Sequence, residues 1–257
     1  VTDERLAQLE GAVVLYDPSA AAVASVGVEK WFDAGYWHAA GTRLDETTGR
    51  GAVLVLEHAG EKWVLRHYKR GGLVARFVED HYLWVGRERT RAFREWRLLA
   101  RLRDLGLPVP RPIAARIVPR GLLYQADIVT AYLPDTRPLS AHLNEGGPPR
   151  EAWTRIGRMV RSFHDRGVDH PDLTAHNILL GPERRAFLVD FDNARIRPPG
   201  HWREAGLARL HRSLRKVALE TGTGFDAEAW RALEQAYRRP EDAIGPRFAP
   251  SKGRGSP

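Results

Sequence analysis

A chain of 257 residues with an apolar fraction of 43% can bury a real core as one large domain or two closely packed parts, which excludes a disordered protein. It contains no cysteine, so disulfides, thiolate nucleophiles and cysteine-based zinc sites are excluded. The formal charge of +8 suits a nucleic acid, an anionic membrane face or a small anionic substrate, but the cations are mostly Arg, a bias that a GC-rich genome also produces, so charge alone selects none of them.

No run of about eighteen uncharged apolar residues occurs, so no transmembrane helix is expected. Val1 to Glu10 carries acids and no apolar centre, and does not read as a secretory signal. Along the chain, Trp31, Phe32, Tyr36 and Trp37 lie close together among turn residues. Ala52–Glu57 and Trp63–Tyr68 read as strands, with His58-Ala59-Gly60-Glu61 as their hairpin connection. Thr48-Gly49-Arg50-Gly51 precedes the first strand, and Arg70-Gly71-Gly72 forms a basic loop after the second.

A helix is expected over roughly Arg87–Arg103. On it Glu95, Leu98, Leu99 and Leu102 share one face. A glutamate opening an apolar face is expected where the carboxylate pairs with a buried cation. Leu107-Pro108-Val109-Pro110-Arg111-Pro112 stops that helix and forces extended chain. Leu122–Tyr132 reads as strand, and Gly146-Gly147-Pro148-Pro149 is the clearest internal break. From Arg150 a helix presents Trp153, Ile156, Gly157, Val160, Phe163 and His164 on one face, and Gly167 is placed to end it. The order suits an α+β fold in two lobes: a small antiparallel-sheet lobe with one helix over 1–130, and a larger, mostly helical lobe over 131–244. The segment 245–257, rich in Gly, Pro and Ser, is expected to be disordered.

The chemistry is concentrated in two stretches. His170-Pro171-Asp172-Leu173-Thr174-Ala175-His176-Asn177 fits H-x-D-L-x-x-x-N and runs into the apolar Ile178-Leu179-Leu180. Phe187-Leu188-Val189 then leads to Asp190-Phe191-Asp192. The order and spacing are similar to those of protein kinases, where a catalytic loop precedes a metal-binding D-F-G. Phosphoryl transfer is largely a matter of placing charge. Magnesium takes oxygen ligands, which Asn177 and Asp190 can supply, and Asp172 can orient an acceptor hydroxyl and take its proton. An isolated Asp–Asn pair in a loop is usually turn chemistry, and an isolated Asp after a strand is usually a cap; the ordered trio favours the catalytic reading. His170 is expected to order the loop backbone, and His176 to pack or hydrogen-bond within it.

On the nucleotide side, Gly49 and Gly51 could form a shortened phosphate-covering loop, with an ordinary turn as the competing reading. Arg66 falls where protein kinases carry a strand Lys, and Glu95 where they carry its helix partner. Lys62 and Lys69 are rivals for Arg66, and a surface Arg is the bland alternative. This pattern predicts a protein-kinase-like bilobal enzyme using ATP and Mg2+.

More specifically, Leu65–Leu73, Gly106–Ile117, Tyr124–Ile128, Asp172–Leu180 and Leu188–Asp192 resemble the 3-deoxy-D-manno-octulosonic acid (Kdo) kinase family, the lipopolysaccharide-core kinases of Gram-negative bacteria. The resemblance covers most of the chain. It implies ATP-dependent phosphorylation of the Kdo 4-hydroxyl of Kdo-lipid A, peripherally at the cytoplasmic face of the inner membrane, with Asp172 as the catalytic aspartate. The family pattern often has Asn where Thr174 stands, and Asp192 replaces the Gly of D-F-G, where it would assist the metal or only fix the loop. Lys69, Arg70 and an Arg-rich helix over about Gly206–Leu219 are candidate contacts to anionic lipid. On that helix Leu207, Leu210, Leu214 and Val217 share one side, and core packing with a solvated basic face is the favoured reading over a helix lying on the membrane.

Three other readings compete. An antibiotic or other small-sugar kinase of this fold would be expected to have an acidic acceptor pocket. A nucleic-acid-binding module would show clustered basic and aromatic motifs, which are absent, so no nucleic-acid partner is expected. A pseudokinase would break the Asp172, Asn177 and Asp190 trio, which is complete.

Overall fold

A computed structural model describes residues 2–20, 26–39, 45–47, 53–58, 60–68, 82–84, 86–182, 185–222 and 224–239. Gly49, Gly51, Lys69, Arg70 and the 245–257 tail lie outside the described residues.

The fold combines helices with antiparallel sheet. Strands β1 (Arg5–Leu9), β2 (Ala12–Tyr16), β3 (Asp45–Thr47), β4 (Val53–His58), β5 (Glu61–His67), β6 (Tyr82–Leu83), β7 (Pro112–Arg120) and β8 (Leu123–Ala131) form an eight-stranded sheet in the order β1-β2-β7-β8-β5-β4-β3, with β6 on β8. Every pairing is antiparallel. The period of two along β5 sets its faces. Trp63 and Leu65 join Trp31, Phe32, Trp37 and Val129 in a cluster on one side of the sheet. Trp31 meets Trp63 edge-on, ring centroids 5.2 Å apart. The early aromatics therefore cap a sheet face, partly from a short helix, α1 (Ala34–Ala39), so the sheet-bearing part has more than the one helix expected.

The other face carries Ala115, Ile117, Ala126 and Ile128 against Phe93, Trp96 and Leu99 of helix α2 (Arg91–Asp104). The expected Arg87–Arg103 helix is interrupted: Arg87–Arg89 is a 3-10 turn and Thr90 is extended. At its other end Gly106 adopts φ +72. Its N–H reaches Arg103 O at 2.8 Å, and that of Leu107 reaches Leu102 O at 3.0 Å. This is a Schellman stop, so the glycine closes the helix before the prolines act. Arg66 pairs with Ile128 in the sheet, and so stands on the α2 side.

The remaining chain contains α3 (Leu139–Asn144), α4 (Arg150–Asp165), α5 (Trp202–Thr221) and α6 (Ala227–Arg238). It also has a three-stranded sheet of β9 (Arg137–Pro138), β11 (Ile178–Leu180) and β12 (Ala186–Leu188), and a pair, β10 (Val168–Asp169) with β13 (Arg195–Ile196). Helix α4 buries the expected face, from Trp153 to His164. Gly157 lies where α4 meets α6: an added Cβ would come within 2.1 Å of Leu233 O, so only glycine permits that approach. Gly167, at φ +74, returns its N–H to His164 O at 3.0 Å.

Helix α5 buries Leu207, Leu210, Leu214 and Val217, while Arg212, Arg215 and Lys216 are exposed. Its apolar side is core, which is the packing reading favoured from the sequence. No helix among the described residues is long and apolar enough to cross a membrane.

His164 is buried at 3% exposure, with Nδ1 2.8 Å from the Tyr237 hydroxyl. Burial, reinforced by the Arg203 guanidinium, pushes its pKa down to about 4. An unfolded-chain histidine titrates near about 6.5. Between those values the unfolded state binds more protons than the folded one, so stability falls as pH drops through that window. The expected loss from this residue is about 2 kcal/mol between about pH 7.5 and about pH 5. Urea unfolding at the two pH values checks it: His164→Phe should flatten the dependence, and an unchanged dependence would assign it elsewhere.

Candidate active site

The loop from His170 to Asn177 is slung between β10 and β11 and fixed by buried residues. Leu173 and Ala175 are buried. The Ala175 N–H donates to Ser213 Oγ of α5 at 3.1 Å, and its carbonyl accepts from Ser140 N–H of α3 at 3.1 Å. Two turns, Leu173 N–H to His170 O and Asn177 N–H to Thr174 O, both 3.2 Å, leave Asp172 and Asn177 at the outer rim. There the Asn177 side-chain amide donates to Asp172 Oδ2 at 2.9 Å and to Asp172 O at 2.8 Å. With its nitrogen committed to Asp172, Asn177 has its amide oxygen left for a cation.

His170 is 4% exposed, packs edge-on to Phe191 at 4.9 Å, and places Nε2 3.1 Å from Val189 O. Burial lowers its pKa, so the neutral ring donates from Nε2 to that carbonyl. It orders the backbone, as expected. His176 is exposed, which corrects the packing alternative of the expectation that it packs or hydrogen-bonds in the loop.

The short ladder of β11 with β12 pairs Ile178 with Leu188 and so brings the two motifs together. Beyond it, Val189 N–H donates to Asn177 O at 3.0 Å. Asp190 follows with φ 66, a left-handed conformation uncommon outside glycine. The turn is held from behind by Phe191, which is buried and stacks near Phe163, centroids 5.8 Å apart.

Asp190 Oδ1 accepts a hydrogen bond from Arg66 Nη1. Arg66 Nη2 donates to both Glu95 oxygens at 2.6 Å. Glu95 is 3% exposed and also accepts from the Tyr68 hydroxyl and from the Phe191 N–H at 3.2 Å. The buried glutamate thus has the cation partner that its place on the helix required. Burial opposes the charge on Arg66, but Glu95, Tyr68 and Asp190 outweigh it and raise its pKa above the ordinary value. Lys62 pairs instead with Glu57 at 3.2 Å on the exposed surface.

The structure therefore brings Arg66, Glu95 and Asp190 into one network and Asp172 and Asn177 into another, joined through Val189. Tyr68 and Arg91 belong to it and were not singled out from the sequence. Two signals could have found them: Tyr68 lies two residues beyond Arg66 on the same strand face, and Arg91 one helical turn before Glu95. Arg91 grips Asp192, as described below. Asp127, within a stretch that carries the family resemblance, is buried at 4% exposure between Arg116, at 2.9 Å, and His67, at 2.7 Å, and so ties three strands together.

Among the described residues no cluster of three or more His, Cys, Asp or Glu side chains could hold a metal ion. Asn177 and Asp190 instead offer an amide and a carboxylate oxygen, the hard donors of a cation that keeps several waters, as magnesium does. A groove of about 710 Å3 lined by Trp153, Arg215, Leu219 and Phe225 contains none of these residues.

Residues 34–237 match the lipopolysaccharide kinase (Kdo/WaaP) family, a span that includes every residue of both networks. The chain is 42% identical over 190 residues to the 3-deoxy-D-manno-octulosonic acid kinase of Xylella fastidiosa (strain M12), covering 74% of this chain and 76% of that protein. It is 40% identical over 227 residues to the 3-deoxy-D-manno-octulosonic acid kinase of Stenotrophomonas maltophilia (strain K279a), covering 87% and 88%. With the protein of that name from Vibrio cholerae serotype O1 it shares 38% identity over 206 residues, covering 80% and 87%. The chain belongs to the lipopolysaccharide kinase (Kdo/WaaP) family.

Proposed function

We propose that this protein transfers the γ-phosphate of ATP to the 4-hydroxyl of the Kdo sugar of Kdo-lipid A during assembly of the lipopolysaccharide core. The observation that carries the reading is the Asp172–Asn177 contact of 2.9 Å, set beside Asp190 in a family of lipopolysaccharide kinases whose relatives above are named as Kdo kinases.

In this reading the sheet with α2 is one lobe and the helical remainder the other, dividing near residue 130, with ATP between them. Asp172 accepts the hydrogen bond of the acceptor hydroxyl, aims its oxygen at the γ-phosphorus and receives its proton. The new O–P bond forms as the bond to the leaving ADP breaks. Arg66, steadied by Glu95, turns its charge toward the phosphates. Asn177 and Asp190 would hold magnesium, which when bound would neutralise phosphate charge.

The protein acts peripherally at the cytoplasmic face of the inner membrane in this reading. Support comes from the charge of +8 and from exposed cations such as Arg212, Arg215 and Lys216, each worth about 1 kcal/mol near anionic lipid. Binding to anionic vesicles should then weaken with added salt.

The test of function is incubation of the purified protein with γ-labelled ATP, magnesium and Kdo-lipid A. Label should appear on the Kdo 4-hydroxyl. Absence of transfer under conditions where ATP binds would contradict the acceptor assignment.

A further inference from the structure

The segment Val189–Asp192 is anchored on both sides of a strained residue. Asp190 takes φ 66, which a non-glycine residue keeps only where its neighbours hold it. On the N-terminal side Val189 is bonded through both backbone groups, to Asn177 and His170. On the C-terminal side Glu95 accepts the Phe191 N–H, and one helical turn earlier Arg91 grips Asp192. Arg91 Nε donates to Asp192 Oδ1 at 2.6 Å, and its Nη2 donates to Oδ2.

The guanidinium of Arg91 is itself fixed. It lies over the Tyr82 ring, 4.8 Å from the centroid, while its own backbone N–H donates to the Tyr124 hydroxyl at 3.0 Å. The pair is largely shielded, with side-chain exposures of 28% and 15%. A bidentate fork of this kind fixes direction as well as distance. Both oxygens of Asp192 accept from it, and Oδ2 also accepts from the Asn193 side-chain amide at 3.4 Å, so the carboxylate is already oriented by protein donors.

We propose that Arg91 is a positioning residue and that Asp192 is its handle: together they hold the backbone turn that presents Asp190, and Asp192 is not a metal ligand. A glycine at 192 would offer Arg91 nothing to hold. The inference rests on the phosphotransfer reading for its effect on rate, but its effect on magnesium-dependent ATP binding does not require the acceptor to be known.

The test is a double-mutant cycle of Arg91→Ala, Asp192→Ala and the double variant in the full chain, with folding checked by circular dichroism. Two quantities are read: the dissociation constant of ATP with and without magnesium, by calorimetry, and kcat with its magnesium dependence. Each single variant should weaken the magnesium-dependent gain in ATP affinity by about tenfold and lower kcat by roughly ten- to a hundredfold. ATP affinity without magnesium should stay the same. The double variant should be no worse than the poorer single one, because the residues act as one unit.

Additive losses would overturn the proposal, as would Asp192→Ala falling far below Arg91→Ala with a much higher magnesium requirement, the mark of a lost ligand. Wild-type values in folded Arg91→Ala would overturn it too, as would a wild type whose ATP affinity ignores magnesium. If the wild type gains affinity with magnesium but phosphorylates no Kdo-lipid A, the acceptor assignment fails while the binding cycle still decides the roles of Arg91 and Asp192.

Discussion

Asp172→Asn lowers kcat by about a hundred- to ten-thousand-fold, the usual contribution of a positioned general base, and leaves the affinity for ATP nearly unchanged. The side chain sits on the rim, away from the core, so the variant should unfold at the same urea concentration as the wild type. Asn preserves the shape and can still meet the Asn177 amide, but it cannot receive the acceptor proton. A loss of kcat together with kcat/KM, at constant ATP binding, is the signature of an interaction made in the transition state. Rate measurements under saturating Kdo-lipid A check it, and equal turnover by the variant would remove Asp172 from the mechanism.

Glu95→Ala is expected to cost both stability and activity. One buried carboxylate accepts from Arg66 at 2.6 Å, from Tyr68 and from the Phe191 N–H. Its removal leaves a shielded guanidinium, a phenol and an amide with fewer partners. Breaking a buried ion pair costs about 3–5 kcal/mol. The low end, about 3 kcal/mol, is expected here because Arg66 keeps Asp190 and is 26% exposed on its side chain. Free to swing, Arg66 would close on Asp190 and draw it from the alignment that Val189 and Phe191 impose. Turnover should fall at least tenfold, even at temperatures where the variant is fully folded. Urea unfolding and steady-state kinetics separate the two effects. A variant of wild-type stability would mean that Glu95 is not the keystone of this network.

The parts of the site legible in the sequence were those written in local spacing. Asp172 and Asn177 share one loop, and Asp190 stands one short hairpin later, so the chain itself dictates their proximity. The Arg66–Glu95 contact was legible for another reason. Glu95 begins the face that Leu99 and Leu102 bury, and a buried carboxylate demands a cation. Arg91 gave only a weaker signal, its place one helical turn before Glu95. It lies at the start of α2 among other arginines, and its partner Asp192 is distant in sequence, so only the packing of α2 on the Val189–Asp192 turn unites them.

In the fold, β4 and β5 followed from runs rich in β-branched and aliphatic residues, and α4 from helical periodicity. The hairpin of β1 and β2 did not, because β1 is mostly solvent-facing and shows no apolar alternation strong enough to read. Strand β7 was hidden by prolines at its two ends, Pro112 and Pro119. There they cost little, since Pro112 opens the strand and Pro119 lies one residue from its close. The break at Thr90 was likewise hidden, since the arginine-rich residues on both sides fit a continuous helix.

The most direct test of the account is a crystal structure of the protein with magnesium and a non-hydrolysable ATP analogue. The side-chain oxygens of Asn177 and Asp190 should both contact the metal, with Asp172 beside the γ-phosphate and free of the cation. A metal held by other residues, or a nucleotide bound away from Asp190, would contradict it.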